Sequence, residues 1–430
     1  MRRLLRNGCA AAALLLLLLL LPLSELSATD WDWGGSIDNT TQLGFSAMYD
    51  EVELSQKLKA GLWVTGLRRL EGGGSIEMTG AGSYSYSDER AYIFDIDLLR
   101  SVGRFPAALG ERSLLQATAG RTVFRDPSGL VLDHTADGAI VRLSYPGVRL
   151  RAAAAYSGLL LSPSSSIRIS NTDYMEASTD EQFFGPRRAI GLFDVNVGAL
   201  SLFTLAQFDL RDDDDADSID TQYFGISGTG RLGRSGYSDS FVIISSGQER
   251  VGAGETSLFS FVLGTGVRFF AEELRFSRAS FRALYASPFL PLEDDIGFNI
   301  NEFKPINEPT LGLVFTPRLS NLIFTELEYS LRPFASGRRG PGDSLRVGIS
   351  GRGFFRGYSG DIDYIDKFDP DSDSLYLGTE FELGVAARVF SDLGLSLRGG
   401  VFVPGSGDSG AFASERTAEW ALRFDLSTGF

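Results

Sequence analysis

Few side chains in this chain could carry acid–base chemistry, and His134 is the only histidine among the 430 residues. It stands in the stretch 133–138 (Asp-His-Thr-Ala-Asp-Gly), where it could act as a general base. Catalysis of that kind needs a nucleophile or an orienting partner within hydrogen-bond reach. The sequence has no second histidine and no Gly-x-Ser-x-Gly motif. We therefore predict that the protein is not an enzyme and that His134 is a loop histidine beside a turn.

Two acidic segments could offer oxygen ligands to a cation. One is the aspartate run 212–215, and the other is 369–374 (Asp-Pro-Asp-Ser-Asp-Ser). With Glu380 at its twelfth position, the second segment resembles the EF-hand calcium loop. It departs from that loop because Ser374 stands where glycine is needed and Glu380 belongs to a strand. A charge run is more often simply solvated, so we predict no metal and no cofactor. The weak calcium candidates are Asp369, Asp371 and Asp373.

The largest set of charged side chains lies at alternate positions of apolar-rich segments. Arginine rows adjoin carboxylate rows, which would set up a transverse field and orient water in a narrow pore. Alternatively, the same groups pair across strands and plug the lumen. The residues predicted to line a pore are Arg142, Arg149, Arg151, Glu326, Glu328, Arg346, Arg352, Arg356, Asp361, Asp363, Glu380, Glu382, Arg388, Arg398, Arg423 and Asp425.

These charges are positioned by segments that alternate apolar and polar residues. A period of two places successive side chains on opposite faces of a β-strand. Between 375 and 389, the face that carries Phe381 and Leu383 has no charge, whereas Glu380 and Glu382 share the other face. An arginine on a lipid-facing side would cost about 2–4 kcal/mol at mid-bilayer. We therefore predict that the apolar faces contact lipid and that the polar faces enclose an aqueous interior.

One hairpin can be predicted residue by residue. If residues 146–147 (Pro-Gly) form a two-residue loop, Tyr145 pairs with Val148 and Arg142 lies opposite Arg151. Directly opposed like charges destabilise a strand pair. Acidic neighbours, water or an anionic solute must then compensate the two guanidinium groups.

The predicted connections between strands alternate between short turns and long polar loops, as in outer-membrane barrels. In the second half of the chain the turns are 271–273, 317–320 and 391–392, and the long loops are 287–309, 333–342, 367–374 and 404–415. The apolar phase slips between Leu274 and Tyr285, which predicts a β-bulge there. Counting strands back from the C-terminus gives an even number of about 20, or alternatively 18 or 16. The segment 358–366 is among the least certain strands.

The last predicted strand runs from Thr417 to Phe430, with Trp420, Phe424 and Phe430 on its uncharged face. A strand of roughly 9–11 residues spans a bilayer when tilted. A terminal amphipathic strand that ends in an aromatic residue resembles the assembly signal of outer-membrane β-barrel proteins such as the porins. The resemblance implies an all-β, transmembrane, antiparallel up-and-down barrel that the barrel-assembly machinery inserts through that signal.

Composition and the N-terminus agree with export. A net charge of −15 leaves no broad basic surface for a nucleic acid. Residues 1–28 are predicted to be a cleaved signal peptide, because Arg2, Arg3 and Arg6 precede a short apolar stretch. This leaves 29–430 as a single barrel domain. The only cysteine, Cys9, lies in the signal peptide, so the mature protein would have no disulfide and no thiolate metal site.

The function predicted from these features is passive diffusion of small hydrophilic solutes through a channel in the outer membrane. The expected partners are outer-membrane lipid, the barrel-assembly machinery and small solutes, with a homo-oligomer as an open option. Two alternatives stay open. A transporter of hydrophobic compounds, resembling the fatty-acid channel family, would need an apolar pocket in the lumen near Phe203, Leu205 and Phe324. A closed barrel would instead act through its long loops as an adhesin or a structural anchor.

Overall fold

The computed structural model describes residues 29–46, 51–87, 93–178, 183–211, 217–252, 254–290, 299–335, 341–359, 367–369 and 371–430. Several predictions fall on other residues. The signal peptide, the aspartate run 212–215 and the predicted pore residues Asp361 and Asp363 lie outside the described residues. Within the described part of the chain, no helix is both long enough and apolar enough to cross a membrane.

The described residues form one antiparallel sheet of 18 strands that closes on itself. Each strand pairs with its neighbours in sequence, and β1 pairs with both β2 and β18. This confirms the predicted up-and-down barrel. The strand number is 18, which was one of the predicted alternatives to 20. The strands are β1 (Thr29–Ser46), β2 (Glu51–Arg69), β3 (Ser75–Ser87), β4 (Ile93–Pro106), β5 (Leu114–Arg125), β6 (Asp133–Tyr145), β7 (Val148–Tyr156), β8 (Arg188–Val197), β9 (Leu200–Asp209), β10 (Ser218–Leu232), β11 (Gly236–Val251), β12 (Gly254–Ala271), β13 (Ser277–Ala286), β14 (Leu322–Leu331), β15 (Arg346–Arg356), β16 (Tyr376–Arg388), β17 (Leu393–Pro404) and β18 (Glu419–Gly429).

Connections after even-numbered strands share one end of the barrel with the C-terminus, which we call the short-turn end. Those after odd-numbered strands lie at the opposite, long-connection end. The predicted turn at 317–320 is wrong, because these residues belong to one connection, 287–321, in which Leu319 is fully buried. Loop 333–342 therefore lies at the short-turn end, which breaks the predicted alternation of loop lengths.

The hairpin at 146–147 has the predicted register. Tyr145 pairs with Val148, and Arg142 lies opposite Arg151. The two-residue turn is possible because Gly147 adopts a positive φ of 83°. The arginine pair is compensated by a carboxylate, since Arg151 forms an ion pair with Asp194 on β8.

The bulge predicted between Leu274 and Tyr285 is wrong. The ladder between β12 and β13 has no register shift, and the phase slips because Leu274 and Phe276 belong to the turn before β13. A bulge occurs instead between β15 and β16, at Phe354 and Phe355. It turns Leu377 into the barrel, where it is only 1% exposed, although the sequence pattern placed it on the same face as Leu383.

The apolar strand faces point away from the barrel axis. Leu383 is 55% exposed and Phe424 is 38% exposed, so neither side chain is buried between packed sheets. Only a surrounding apolar medium can remove such a belt of side chains from water. The fold is therefore that of a transmembrane barrel, and it encloses the one described α-helix, α1 (Asn171–Ser178).

Candidate functional site

The described parts of two connections from the long-connection end, 157–187 (described at 157–178 and 183–187) and 287–321 (described at 287–290 and 299–321), fold into the barrel and form its constriction. They contact each other, since Ile167 and Asn307 form a β-bridge. The second segment also reaches distant strands: the Tyr223 hydroxyl on β10 donates to the Lys304 carbonyl at 2.6 Å, and the Phe315 N–H donates to Glu380 on β16 at 2.8 Å. A segment that reaches both walls must cross the lumen.

A buried carboxylate fixes the second segment to the wall. The Leu313 N–H donates to Glu380 Oε1 at 2.8 Å, and the N–H groups of Val314 and Phe315 donate to Oε2 at 3.1 and 2.8 Å. Arg352 donates to the same carboxylate at 2.6 Å. Glu380 is 0% exposed. Three consecutive backbone donors around one anion make a cradle, so this contact sets the path of residues 313–315.

A second buried cluster fixes the first segment. Asp173 on α1 forms ion pairs with Arg188 on β8 at 2.7 Å and with Arg211 after β9 at 3.2 Å. Asp209 pairs with the same two arginines. Buried ions are tolerated when they are paired and hydrogen-bonded, so the cluster holds α1 against β8 and β9.

A carboxyl group joins the two segments. The Tyr174 hydroxyl donates to Glu308 Oε1 at 3.4 Å, and the Leu319 N–H donates to Oε2 at 3.2 Å. The Arg318 guanidinium lies 3.8 Å from the centre of the Tyr174 ring. Burial raises the pKa of Glu308 above its ordinary value, because the surroundings disfavour its charged form.

The inserted segments exclude water from the apolar part of the inner wall. Phe203, Leu205 and Phe324 face inward and are buried in one cluster with side chains such as Phe315. Phe315 itself stacks on Phe402 of β17, with 4.3 Å between ring centres. The apolar interior along β8 to β16 is thus filled by the protein's own side chains.

The remaining inner wall, along β17, β18 and β1 to β4, stays accessible to water. Arg423 pairs with Asp425 at 2.8 Å, and Arg398 approaches the same carboxylate at 3.6 Å. Lys59 pairs with Asp97 at 2.7 Å. These side chains retain between 25% and 40% of their exposure. The pore prediction missed Lys59 and Asp97, although Lys59 lies on the charged face of β2, opposite its apolar residues.

Three of the lumenal cavities with charged side chains bring together groups from neighbouring strands. A cavity of about 400 Å³ near the short-turn end is lined by Arg142, Arg149, Arg151 and Asp194. A cavity of about 310 Å³ brings together Glu326, Glu328, Arg346, Arg352, Glu382 and Arg398. A third cavity, of about 530 Å³, lies between β2 to β4 and the inserted segment, and Lys57 lines it.

Other predicted pore residues are placed differently. Arg356 is 0% exposed and donates to the carbonyls of Ser372 and Ser374, so it anchors the connection after β15. Glu380 likewise holds a segment and does not contact water. Arg388, by contrast, is exposed at the short-turn end of β16, where it lines a cavity of about 350 Å³ with Arg346 and Asp425. Glu380 therefore positions the constriction and Arg356 holds the connection after β15, in contrast to the expectation that both line the pore.

Neither the catalytic candidate His134 nor the calcium candidates form a complete site among the described residues. His134 is not in a loop but on β6, where it is buried and its Nδ1 lies 3.0 Å from the Ser166 hydroxyl. Its Nε2 has no hydrogen-bond partner among the described residues. Asp369 Oδ1 accepts the N–H of Asp371. In the described ranges no three His, Cys, Asp or Glu side chains are grouped as metal ligands.

The fold is similar to those of solved Occ and Opd proteins. OccK8 (OprE) of Pseudomonas aeruginosa has a TM-score of 0.59 at 10% identity, over 93% of this chain and 98% of that one. OpdO of the same organism has a TM-score of 0.56 at 15% identity, over 93% of this chain and 97% of that one. OccAB2 of Acinetobacter baumannii has a TM-score of 0.55 at 11% identity, over 93% of this chain and 98% of that one. No protein-family model and no curated protein sequence matches the chain. The similarity establishes a porin-type barrel fold.

Proposed function

We propose that the protein is an outer-membrane channel for the passive diffusion of small hydrophilic solutes. The observation that carries this proposal is the uneven filling of the barrel. Inserted segments cover the apolar part of the interior along β8 to β16, while a charged wall along β17, β18 and β1 to β4 keeps contact with water. A barrel conducts where its loops leave a hydrated gap. The exposed apolar belt supports placement in a membrane.

The charges of the lumen suggest how the channel would select solutes. In the cavity near the short-turn end, four arginines outnumber two aspartates, since Arg125, Arg142, Arg149 and Arg151 line it with Asp126 and Asp194. On the hydrated wall, Arg398 and Arg423 share the single carboxylate of Asp425. Rings of basic side chains favour anions, so we propose that small anionic or neutral hydrophilic solutes pass more readily than cations.

Single-channel recording in planar bilayers tests the proposal. The protein should give stable open steps, with a reversal potential that indicates anion preference. Arg142→Glu should shift that potential toward cations and leaves the Arg151–Asp194 pair in place. The matched control is Arg112→Glu on an exposed turn at the short-turn end. An unchanged reversal potential in Arg142→Glu would contradict the assignment of Arg142 to the pore, and a protein that never conducts would contradict the channel itself.

The structure gives less support to the two alternatives. A carrier of hydrophobic compounds needs an apolar pocket, but Phe203, Leu205 and Phe324 are covered by the inserted segments. A closed adhesin or anchor would be electrically silent in the same recordings. We also propose that the barrel-assembly machinery reads Trp420 and Phe424 on β18 and Phe430 directly after it, whose side chains are exposed. Outer-membrane lipid would cover the apolar belt.

A further inference from the structure

A cavity of about 910 Å³ lies at the short-turn end of the barrel. It is bounded by the turns after β10 and β12 and by the short-turn ends of β14 and β15. We call it the mouth cavity. Arg346 lines both this cavity and the cavity of about 310 Å³ that contains Glu326 and Glu382. The mouth cavity therefore continues the path that leads from the charged interior to the short-turn end.

Three aromatic side chains line the mouth cavity. Tyr237 on β11 and Phe270 on β12 share the inward face with Ile243 and Val262, which are fully buried in the barrel. Phe276 belongs to the turn before β13. The three rings are between 42% and 48% exposed. The aromatic girdles of a membrane barrel lie on its outward face. Tyr237 and Phe270 are therefore not girdle residues, and they present apolar ring surface to the lumen.

The turn before β13 holds Phe276 in a strained conformation. Arg275 and Phe276 are consecutive residues with positive φ, 56° and 52°. Residues other than glycine seldom adopt this conformation, which persists where surrounding contacts impose it. Here the Phe276 N–H donates to the Glu272 carbonyl at 3.1 Å, and the Arg332 N–H donates to the Arg275 carbonyl at 3.0 Å. The Arg275 guanidinium donates to the Pro333 carbonyl at 3.0 Å. These bonds tie the turn to the end of β14 and fix Phe276 beside the cavity.

The mouth cavity also contains charged groups of both signs. The carboxylates belong to Glu272 and Glu273, and the guanidinium groups to Arg234, Arg332 and Arg346. All five residues are exposed, and within the described part of the chain none of their side chains forms an ion pair. An anionic ligand would be repelled by the two carboxylates, and a cationic ligand by the three arginines. An uncharged ligand that both donates and accepts hydrogen bonds can use both sets of groups.

A saccharide has this combination of properties. Its hydroxyl groups donate hydrogen bonds to carboxylates and accept them from guanidinium groups. The C–H faces of its rings are apolar and can pack against aromatic side chains. Small-molecule sites are typically cavities of roughly 300–1,000 Å³. The mouth cavity, at about 910 Å³, lies near the upper end of that range, so it leaves room for more than one sugar ring.

We propose that the mouth cavity is a binding site for a neutral oligosaccharide. Its sugar rings pack on Phe270 and Phe276, and its hydroxyl groups bind the carboxylates of the turn before β13 and the guanidinium group of Arg332. The Tyr237 ring supports that of Phe270, which it meets edge to face with 6.1 Å between ring centres. The inference rests on the proposed channel, because the site lies at one mouth of the pore, but binding can be measured without conduction.

Isothermal titration calorimetry of the full mature protein in lipid nanodiscs tests the site, with maltotriose as the probe. Maltotriose should bind, and its affinity should change less than about twofold between about 0.1 and 1 M salt, because salt screens only the interactions of charged ligands. Hexanoate and the zwitterionic dipeptide alanyl-phenylalanine should bind at least about tenfold more weakly. The absence of maltotriose binding, or equal or tighter binding of either charged probe, would overturn the proposal.

Variants of the aromatic side chains locate the bound sugar. Phe276→Ala should weaken maltotriose binding about tenfold, since it removes one ring contact, whereas Phe276→Tyr should keep the wild-type affinity because the ring remains. The matched control is Phe390→Ala, which removes another exposed ring at the short-turn end, one that does not line the mouth cavity. This control should bind like the wild type. Equal affinities of Phe276→Ala and Phe390→Ala would exclude the mouth cavity as the site.

Conductance of the same preparation in planar bilayers separates this inference from the proposed function. Normal conductance without maltotriose binding would refute the saccharide site alone. Maltotriose binding that depends on Phe276, in a protein that never conducts, would refute the proposed channel alone.

Discussion

Replacing Glu380 with glutamine should release the constriction, because this carboxylate is the acceptor for four donors. Its two oxygens each accept two hydrogen bonds, from three backbone N–H groups and Arg352. A glutamine has one acceptor oxygen, and its amide group would point hydrogens at the other two donors. Each buried donor left unsatisfied costs about 1–3 kcal/mol, or about 2–6 kcal/mol for the pair. This free-energy cost destabilises the conformation in which residues 313–315 lie inside the barrel.

The assay is single-channel conductance in planar bilayers. Glu380→Gln should give a larger and noisier open current than the wild type, because the segment no longer holds one position in the lumen. The control is Glu382→Gln on the same strand. Glu382 also accepts a hydrogen bond from Arg352, at 2.7 Å, but within the described part of the chain it makes no hydrogen bond to residues 313–315. Arg352 keeps Glu326 as a partner in both variants. If both variants matched the wild type in conductance and noise, Glu380 would not be the anchor that sets the pore.

Three further changes probe the same architecture. Gly312→Ala would place a Cβ 2.3 Å from the Phe315 carbonyl and 2.7 Å from Glu380, so it should also increase current noise. Burial raises the pKa of Glu308 above its ordinary value, so the contribution of its protonated form to stability is present at low pH and is lost as the pH rises through the raised pKa. Glu308→Gln should therefore flatten the dependence of Tm on pH above the ordinary pKa of a glutamate. Leu383→Arg should lower the free energy of unfolding in lipid by about 2–4 kcal/mol, measured by urea titration, whereas Ser396→Arg on the lumenal wall should cost less.

The lipid-facing residues of the strands could be predicted because hydrocarbon favours apolar side chains and excludes charged ones. The alternation that placed Leu383 and Phe424 outside follows from the period of two and the cost of charge in hydrocarbon. The register of the hairpin at 146–147 could also be predicted, since its two-residue turn places Arg142 opposite Arg151. Where a bulge intervenes, as at Leu377, the same pattern assigns the wrong face.

The inward half could not be predicted from the same pattern, because a charged residue inside a barrel can face water or face another segment. Glu380 and Arg423 occupy equivalent inward positions in their strands. The first is sealed by the backbone of residues 313–315, and the second remains about one-third exposed. The difference depends on contacts between residues far apart in sequence, which periodicity does not encode.

The sequence nevertheless contains a signal for the position of the pore. The middle of strand β9 is apolar on both faces, with Leu202 outside and Phe203 and Leu205 inside. An apolar inner face cannot remain in water without cost, so another part of the chain must cover it, and the longest connections, 157–187 and 287–321, do so. By contrast, β2 and β3 are apolar on the outward face and carry lysine and serine inside, as at Lys57 and Ser85. Water should therefore follow the strands whose two faces differ, which places the hydrated path of this barrel beside β1 to β4.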